Sequence, residues 1–154
     1  MIKEPEFRSF KGQARDLVRL LLVEDDPQFA DLVRTQLRRM PWLESRLEIA
    51  GTLAEALARL GAERFGLILT DLNLPDCAGV ATVEALTRSG EQLVIVLTGD
   101  RDPVLRAAAL DCGAYDFLSK DNLSAAALER LVRLASIQAH TFRTLRESEA
   151  PSAA

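Results

Sequence analysis

Two short stretches of the chain are apolar at every position, and they restrict its fold more than any other feature. Residues 20–23 are Leu-Leu-Leu-Val and residues 94–97 are Val-Ile-Val-Leu. A strand with one solvated face alternates apolar and polar side chains, whereas a strand covered on both faces of a parallel sheet is apolar throughout. The two stretches therefore predict central strands of a parallel sheet with helices on both faces.

Apolar segments with the length of strands occur at residues 17–23, 47–50, 65–70, 93–98 and 115–119. Between them, apolar residues recur at the spacing of a helix face, as at Phe29, Leu32 and Val33. Parallel neighbours are joined by right-handed crossovers, which helices commonly form. This alternation predicts an α/β fold: a doubly wound, five-stranded parallel sheet flanked by five helices.

Helix-end signals suggest how the chain is divided. Pro27 fits a first helical position, where its missing N–H is harmless, and predicts a helix that runs to about Arg39. Ser124 predicts the N-cap of the last helix. We expect an N-terminal extension at residues 1–15, one domain at 16–135, and a helical C-terminal extension with a disordered tail at 136–154.

The last predicted helix has an apolar stripe that continues beyond the expected domain, at Leu128, Leu131, Ala135, Gln138, Phe142 and Leu145. Alternating steps of three and four residues are typical of coiled coils. Two interpretations stay open. One is a coiled-coil-like extension through which two copies form a homodimer, and the other is a packed helix with a frayed end.

Composition excludes several classes of protein. A net charge of -4 and a pI near 5.1 give no sequence-wide attraction for nucleic-acid phosphates. Cys77 and Cys112 lack the spacing of a metal site or a disulfide framework, which favours a reducing compartment. No apolar run approaches the roughly 20 residues that span a bilayer, and the N-terminus lacks a signal-peptide core. We expect a cytoplasmic protein without direct nucleic-acid or membrane binding.

Polar side chains collect where the predicted strands end, at Glu24, Asp25, Asp26, Asp71, Thr98 and Lys120. Each alone could be a solvated turn acid, a strand terminus or a surface cation. In an open α/β sheet, however, ligand sites form beyond the carboxyl ends of the strands. The combination of several carboxylates, a hydroxyl and an ammonium at these ends predicts one shared site.

The residue types at this site indicate phosphoryl chemistry. Carboxylates held close together repel one another and favour a bound cation, and their hard oxygen atoms suit Mg²⁺. A carboxylate is ionised at neutral pH and accepts a phosphoryl group without a base, which makes Asp71 the natural acceptor. Transfer depends mainly on neutralising the charge of the phosphoryl oxygens, for which Lys120 and Thr98 are candidates.

Four motifs give the chain a resemblance to the receiver domains of response regulators, over residues 17 to about 134. They are Leu-Leu-Val-Glu-Asp-Asp-Pro at 21–27, Leu-Thr-Asp-Leu-Asn-Leu-Pro-Asp at 69–76 with Gly79, Leu-Thr-Gly at 97–99, and Gly-Ala-Tyr-Asp-Phe-Leu-Ser-Lys at 113–120. The resemblance implies a flavodoxin-like sheet with strand order 2-1-3-4-5. It also implies a phosphorylation switch of two-component signalling rather than a turnover enzyme.

The resemblance also implies roles for individual residues. Glu24 and Asp25 would form the acidic pair of a Mg²⁺ or Mn²⁺ site, together with Asp71 and the backbone carbonyl of Asn73. Thr98 would hydrogen-bond the phosphoryl group.

Lys120 would pair with the oxygens of that group. Phe117 would be the switch aromatic, whose ring turns inward when the Thr98 hydroxyl moves to the phosphate, or else a plain core ring. Asn73 and Asp100 would tune the loss of the phosphoryl group.

Partners follow from the same resemblance. A sensor histidine kinase or a histidine phosphotransfer protein would donate the phosphoryl group, and the change would be read on the face of helix four, strand five and helix five. The reader would be a downstream protein effector or a fused output module. The chain departs from the family where Asp121 follows Lys120 in place of a cis-proline, and we expect a trans bond because a non-proline cis bond costs about 3 kcal/mol.

Two other functions are compatible with parts of the pattern. An aspartate-nucleophile phosphatase would need a second acid two residues after its nucleophile, on the first strand, whereas Asn73 follows Asp71 on the third. A phosphorylation-independent pseudo-receiver should have lost its Lys, its Thr or its acidic pair. All of these residues are present, so the phospho-acceptor is the favoured hypothesis and the pseudo-receiver is the alternative.

Overall fold

A single parallel sheet forms the centre of the molecule. The structure, a computed structural model, describes residues 17–90, 92–99 and 102–149. The sheet has the order β2-β1-β3-β4-β5 and contains β1 (Val18–Val23), β2 (Ser45–Ala50), β3 (Leu67–Thr70), β4 (Leu93–Thr98) and β5 (Asp116–Ser119). The five predicted strands and the predicted strand order are confirmed.

A helix follows each strand, as the crossover connections of a parallel sheet require. The helices are α1 (Pro27–Arg38), α2 (Leu53–Ala62), α3 (Ala81–Thr87), α4 (Pro103–Asp111) and α5 (Ala125–Glu149), and a short 3-10 turn, Lys120–Asn122, lies between β5 and α5. The doubly wound α/β fold with five flanking helices is confirmed.

Short polar side chains cap the starts of α1 and α5. The Asp26 carboxylate accepts a hydrogen bond from the Gln28 N–H at 3.0 Å, so the chain turns into α1 directly after the acidic residues that end β1. The Ser124 hydroxyl oxygen accepts from the Ala127 N–H at 3.1 Å, which confirms the predicted cap of α5. Such caps contribute about 1 kcal/mol each.

Both faces of the sheet are covered by apolar side chains. Leu20 packs on one face with Val33 of α1 and Leu128 of α5, whereas Leu21 packs on the other face with Leu86 of α3. Every residue of β3 and β4 is buried, as their apolar sequences predict. Burial of one leucine side chain stabilises the fold by about 1.5–3 kcal/mol.

The last helix is the longest, with 25 residues. Its predicted stripe is buried at Leu128, Leu131 and Ala135, while Ile137 is exposed. The side chains of Phe142 and Leu145, the extension at 1–15 and the tail at 150–154 lie outside the described residues, so the domain boundaries and the dimer stay predictions. Within the described ranges, no helix has the length and apolarity needed to cross a membrane.

Candidate functional site

Three carboxylates meet at the carboxyl edge of the sheet. Residues Val23 and Thr70 are register partners in the parallel β1 and β3, so the residues after them, Glu24 and Asp71, emerge side by side. One oxygen from each of Glu24, Asp25 and Asp71 lies within 4.8 Å of the others. Glu24 and Asp71 are buried and Asp25 is exposed, so the cluster opens to solvent on one side.

Lys120 approaches this cluster from the end of β5. Its Nζ lies 2.6 Å from Glu24 Oε2 and 3.2 Å from Asp71 Oδ2. The contact with Asp71 is a hydrogen bond in which the ammonium donates, and the contact with Glu24 is a close ion pair. One ammonium therefore bridges two of the three carboxylates, although β5, which precedes Lys120, is not adjacent in the sheet to β1 or β3.

Burial and charge oppose each other within the cluster. Burial raises the pKa of the Glu24 carboxyl above its ordinary value, and the nearby Asp71 charge adds to this, although Lys120 acts in the opposite direction. The pKa of Lys120 is lowered by burial, but Glu24 and Asp71 outweigh that effect and raise it overall. Three carboxylates facing one ammonium leave an excess of negative charge, which a divalent cation would neutralise.

The backbone fixes the orientation of the Asp71 carboxylate. Its Oδ1 accepts a hydrogen bond from the Leu72 N–H at 2.7 Å and a longer one from the Asn73 N–H at 3.4 Å. Its Oδ2 faces Lys120. The two oxygens therefore have different partners, and Oδ2 is the one that lies beside the ammonium.

Thr98 and Phe117 lie behind this edge of the sheet. Thr98 is the last residue of β4 and is buried, and it is paired in register with Ser119, the residue before Lys120. Phe117 is buried in a small apolar cluster with Leu72 and Val96. Its ring is thus a core ring in this structure, and a switching role for it stays a prediction.

Comparison with protein families decides the classification. The family model of the response regulator receiver domain matches residues 20–133, which is most of the chain. The chain belongs to this family. Its transcriptional relative DpiA of Escherichia coli is 35% identical over 106 residues, which cover 66% of this receiver and 45% of DpiA. The response regulator MprA of Mycobacterium avium is 34% identical over 139 residues, or 89% and 57% of the two chains.

Solved structures agree with this classification. A receiver domain protein from Methanospirillum hungatei, described as CheY-like, superposes with a TM-score of 0.70 at 28% identity, covering 82% of this chain and 99% of that one. The receiver spans about half the length of the two curated relatives.

The loop after β3 carries another residue that the receiver motif singles out. Asn73 is exposed there and forms an isolated antiparallel bridge with Ala78. Asp100, the second predicted tuning residue, lies outside the described residues. No cis peptide bond occurs in the described part of the chain, so the bond between Lys120 and Asp121 is trans, as predicted.

Two contacts at this edge of the receiver were not predicted from the sequence. The Phe29 ring lies beneath the Lys120 ammonium, with 4.7 Å between Nζ and the ring centroid. Asp76 accepts hydrogen bonds from the first N–H groups of α2. The available signals were an aromatic residue in the first turn after the acidic residues and an aspartate after Pro75, and neither pattern identifies the partner.

Proposed function

We propose that this receiver accepts a phosphoryl group on Asp71 from a sensor histidine kinase or a histidine phosphotransfer protein. The observation that carries the proposal is the convergence of Glu24, Asp25 and Asp71 within 4.8 Å, with Lys120 Nζ 3.2 Å from Asp71 Oδ2. The two free cysteines fit the reducing cytoplasm in which such donors would act.

The donor set fits a hard divalent cation. Asp25, Asp71, the backbone carbonyl of Asn73 and the neighbouring Glu24 offer oxygen atoms only, which is the preference of Mg²⁺ and is also compatible with Mn²⁺. When bound, the cation would neutralise part of the charge on the phosphoryl oxygens. The excess of carboxylates over ammonium groups supports this assignment independently of the family.

Asp71 acts as the nucleophile. An Asp71 oxygen attacks the phosphorus atom, an O–P bond forms, and the P–N bond to the donor imidazole breaks, with its electron pair returning to the imidazole nitrogen. The Lys120 ammonium and the Thr98 hydroxyl contact the transferred oxygens, so that their charge meets fixed positive groups and donors. The protein thus assists its own modification and does not turn over a substrate.

The new dianion would change the state of the domain. It attracts Lys120 and Thr98 away from their present partners, and a shift of a two-state equilibrium needs differential stabilisation of a few kcal/mol. We propose that Phe117 follows Thr98 and that an effector or output module reads the change on α4, β5 and α5. Asn73 and Asp100 would set how quickly water removes the phosphoryl group.

Incubation with Mg²⁺ and a small phosphodonor such as phosphoramidate, followed by intact mass measurement, tests the proposal. We expect the addition of one phosphoryl group to the wild type and none to Asp71→Asn or to wild type in excess chelator. Asp76→Asn is the matched control, because it removes an exposed carboxylate from the same loop. An unmodified wild type, or equal modification of Asp71→Asn, would instead favour the phosphorylation-independent pseudo-receiver.

A further inference from the structure

An aromatic ring forms one wall of the Lys120 site. Phe29 lies in the first turn of α1, directly after the acidic turn, and only 8% of its surface is exposed. Its ring centroid is 4.7 Å from Lys120 Nζ. The lysine side chain is itself only 20% exposed, so the contact between ring and ammonium is largely shielded from water.

The ring supplies an attraction that does not compete for hydrogen bonds. The face of a phenyl ring is electron-rich and attracts an ammonium within about 6 Å, and the attraction grows when the pair is desolvated. Glu24 and Asp71 contact the same ammonium through oxygen atoms. The ammonium is therefore attracted by two carboxylates and by a ring, and the ring cannot take its protons.

A lysine on its own is poorly suited to hold a fixed position. Its ammonium is carried on a flexible four-carbon stem, and ordering that stem costs side-chain entropy. If the ammonium moved away, it would leave the buried Glu24 carboxylate without its ion-pair partner. A ring that favours the lysine rotamer directed at the carboxylates therefore affects both the position of the ammonium and the pairing of the acidic cluster.

We propose that Phe29 is a positioning residue that holds the Lys120 ammonium beside Asp71 through a cation–π contact. The ring acts on phosphorylation only through Lys120. The contact itself exists before any phosphoryl group arrives. In its kinetic consequence, this inference rests on the proposed function of Asp71 and Lys120.

Replacement of Phe29 by mono-, di- and trifluorinated phenylalanine separates electrostatics from packing, because fluorine weakens the charge on the ring face with little change in shape. We expect the rate constant of phosphorylation by phosphoramidate to fall stepwise along this series, by roughly fivefold in total. The rate constant of the Phe29→Leu variant should fall by at least the same factor. A rate that is the same for all fluorinated rings would overturn the proposal and leave Phe29 as a packing residue.

The matched control is Phe65→Leu. Phe65 is also buried, but it packs on the opposite face of the sheet, in the cluster with Leu21 and Leu86. The Phe65→Leu variant also loses a core aromatic ring, but this ring packs on the face of the sheet opposite Phe29. Its phosphorylation rate should therefore stay near that of the wild type. Slowing equal to that of Phe29→Leu would show that general core damage explains the effect.

A second readout does not depend on phosphorylation. The ring current of Phe29 should shift the NMR signals of the Lys120 ε-methylene protons upfield in the wild type, and Phe29→Leu should abolish that shift. If the wild type shows the upfield shift but accepts no phosphoryl group, the proposed function is refuted and the contact between Phe29 and Lys120 stands. The absence of the shift would refute the contact, whatever the phosphorylation assay shows.

Discussion

Asp71 and Asp76 are the same residue type in the same loop, yet their surroundings differ completely. Asp71 is buried beside two other carboxylates, and one of its oxygens faces the Lys120 ammonium. Asp76 is exposed, and its two oxygens accept the N–H groups of Leu53 and Ala54, each at 2.9 Å. Asp71 keeps one oxygen beside a side-chain ammonium, whereas both Asp76 oxygens accept backbone N–H groups.

The contrast shows that the partners of an aspartate, rather than its residue type, distinguish a reactive carboxylate from a structural one. Asp76 joins the loop after β3 to the start of α2, and the hydrogen bonds from Leu53 and Ala54 lower the pKa of its carboxyl. These donors are backbone groups at the start of α2. Lys120 and a bound cation can be redirected to an incoming group, and for that reason we assign reactivity to Asp71.

The largest expected difference between the two aspartates is chemical. Asp71→Asn should abolish phosphorylation by phosphoramidate, because an amide oxygen is a poor nucleophile. Asp76→Asn should stay within about twofold of the wild type, because it is an exposed residue without contact to the acceptor. Intact mass measured over time gives both rates. A similar loss of phosphorylation rate in both variants would show that Asp71 is not chemically distinct from Asp76.

Magnesium should stabilise only proteins that retain the acidic cluster. At a concentration one hundred times its dissociation constant, a ligand that binds only the folded state raises the free energy of unfolding by about 2.7 kcal/mol. We expect this increase for wild type and for Asp76→Asn, and a much smaller one for Asp71→Asn. Urea titrations with and without Mg²⁺ measure it, and equal gains in all three proteins would place the cation elsewhere.

Without metal, the two substitutions should change stability in opposite directions. Asp71→Asn removes one of three crowded carboxylates and leaves Lys120 paired with Glu24, so we expect a gain of about 1 kcal/mol. Asp76→Asn replaces a charged acceptor at the start of α2 and should destabilise the fold. Urea unfolding in chelator, followed by the single tryptophan, Trp42, reports both. The same sign for both variants would contradict the comparison.

The contribution of Asp76 should depend on pH in a defined direction. Its pKa is lowered in the folded state, so its stabilising effect is present above the unfolded value of 3.8 and disappears as pH falls through the folded value. The difference in unfolding free energy between wild type and Asp76→Asn should therefore narrow between about pH 5 and about pH 3. A difference that is constant over this range would show that ionisation of Asp76 is not its source.

The smallest expected effect extends the comparison to buried hydroxyl groups. Thr70 and Thr82 are both fully buried, but the Thr70 hydroxyl donates to the Asp71 carbonyl oxygen at 2.9 Å, and the Thr82 hydroxyl has no hydrogen-bond partner among the residues that the structure describes. Thr82→Val should be neutral or stabilising by up to about 1 kcal/mol, and Thr70→Val should be destabilising. Thermal unfolding measures the stability of both variants. A destabilised Thr82→Val would indicate that a bound water satisfies the Thr82 hydroxyl in the wild type.

Much of the fold could be predicted because burial leaves a clear trace in sequence. The strands β3 and β4 are buried throughout and were visible as apolar runs. The edge strand β2 begins at Ser45, earlier than its apolar segment at 47–50, because backbone pairing with Val18 does not require apolar side chains. Phe65 is buried without belonging to β3, so the apolar run there extended beyond the strand.

The candidate site was only partly predictable for a related reason. Parallel strands bring their carboxyl ends together, so the meeting of Glu24, Asp71 and Lys120 follows from topology. The contact between Phe29 and Lys120 depends on the rotamers of two side chains, and the hydrogen bonds of Asp76 depend on how a loop folds over a neighbouring helix. Neither arrangement has a periodic pattern in the sequence.

The path of Lys120 across the sheet has a consequence for cooperativity. Its backbone follows the edge strand β5, whereas its ammonium is bound to residues that follow the inner strands β1 and β3. These ion pairs therefore link β5 to β1 and β3, and any local opening of the β5 edge would break them. Occupation of the acidic cluster should slow amide hydrogen exchange in β5, far along the chain from Glu24, because local opening would then also cost the energy of the bound group.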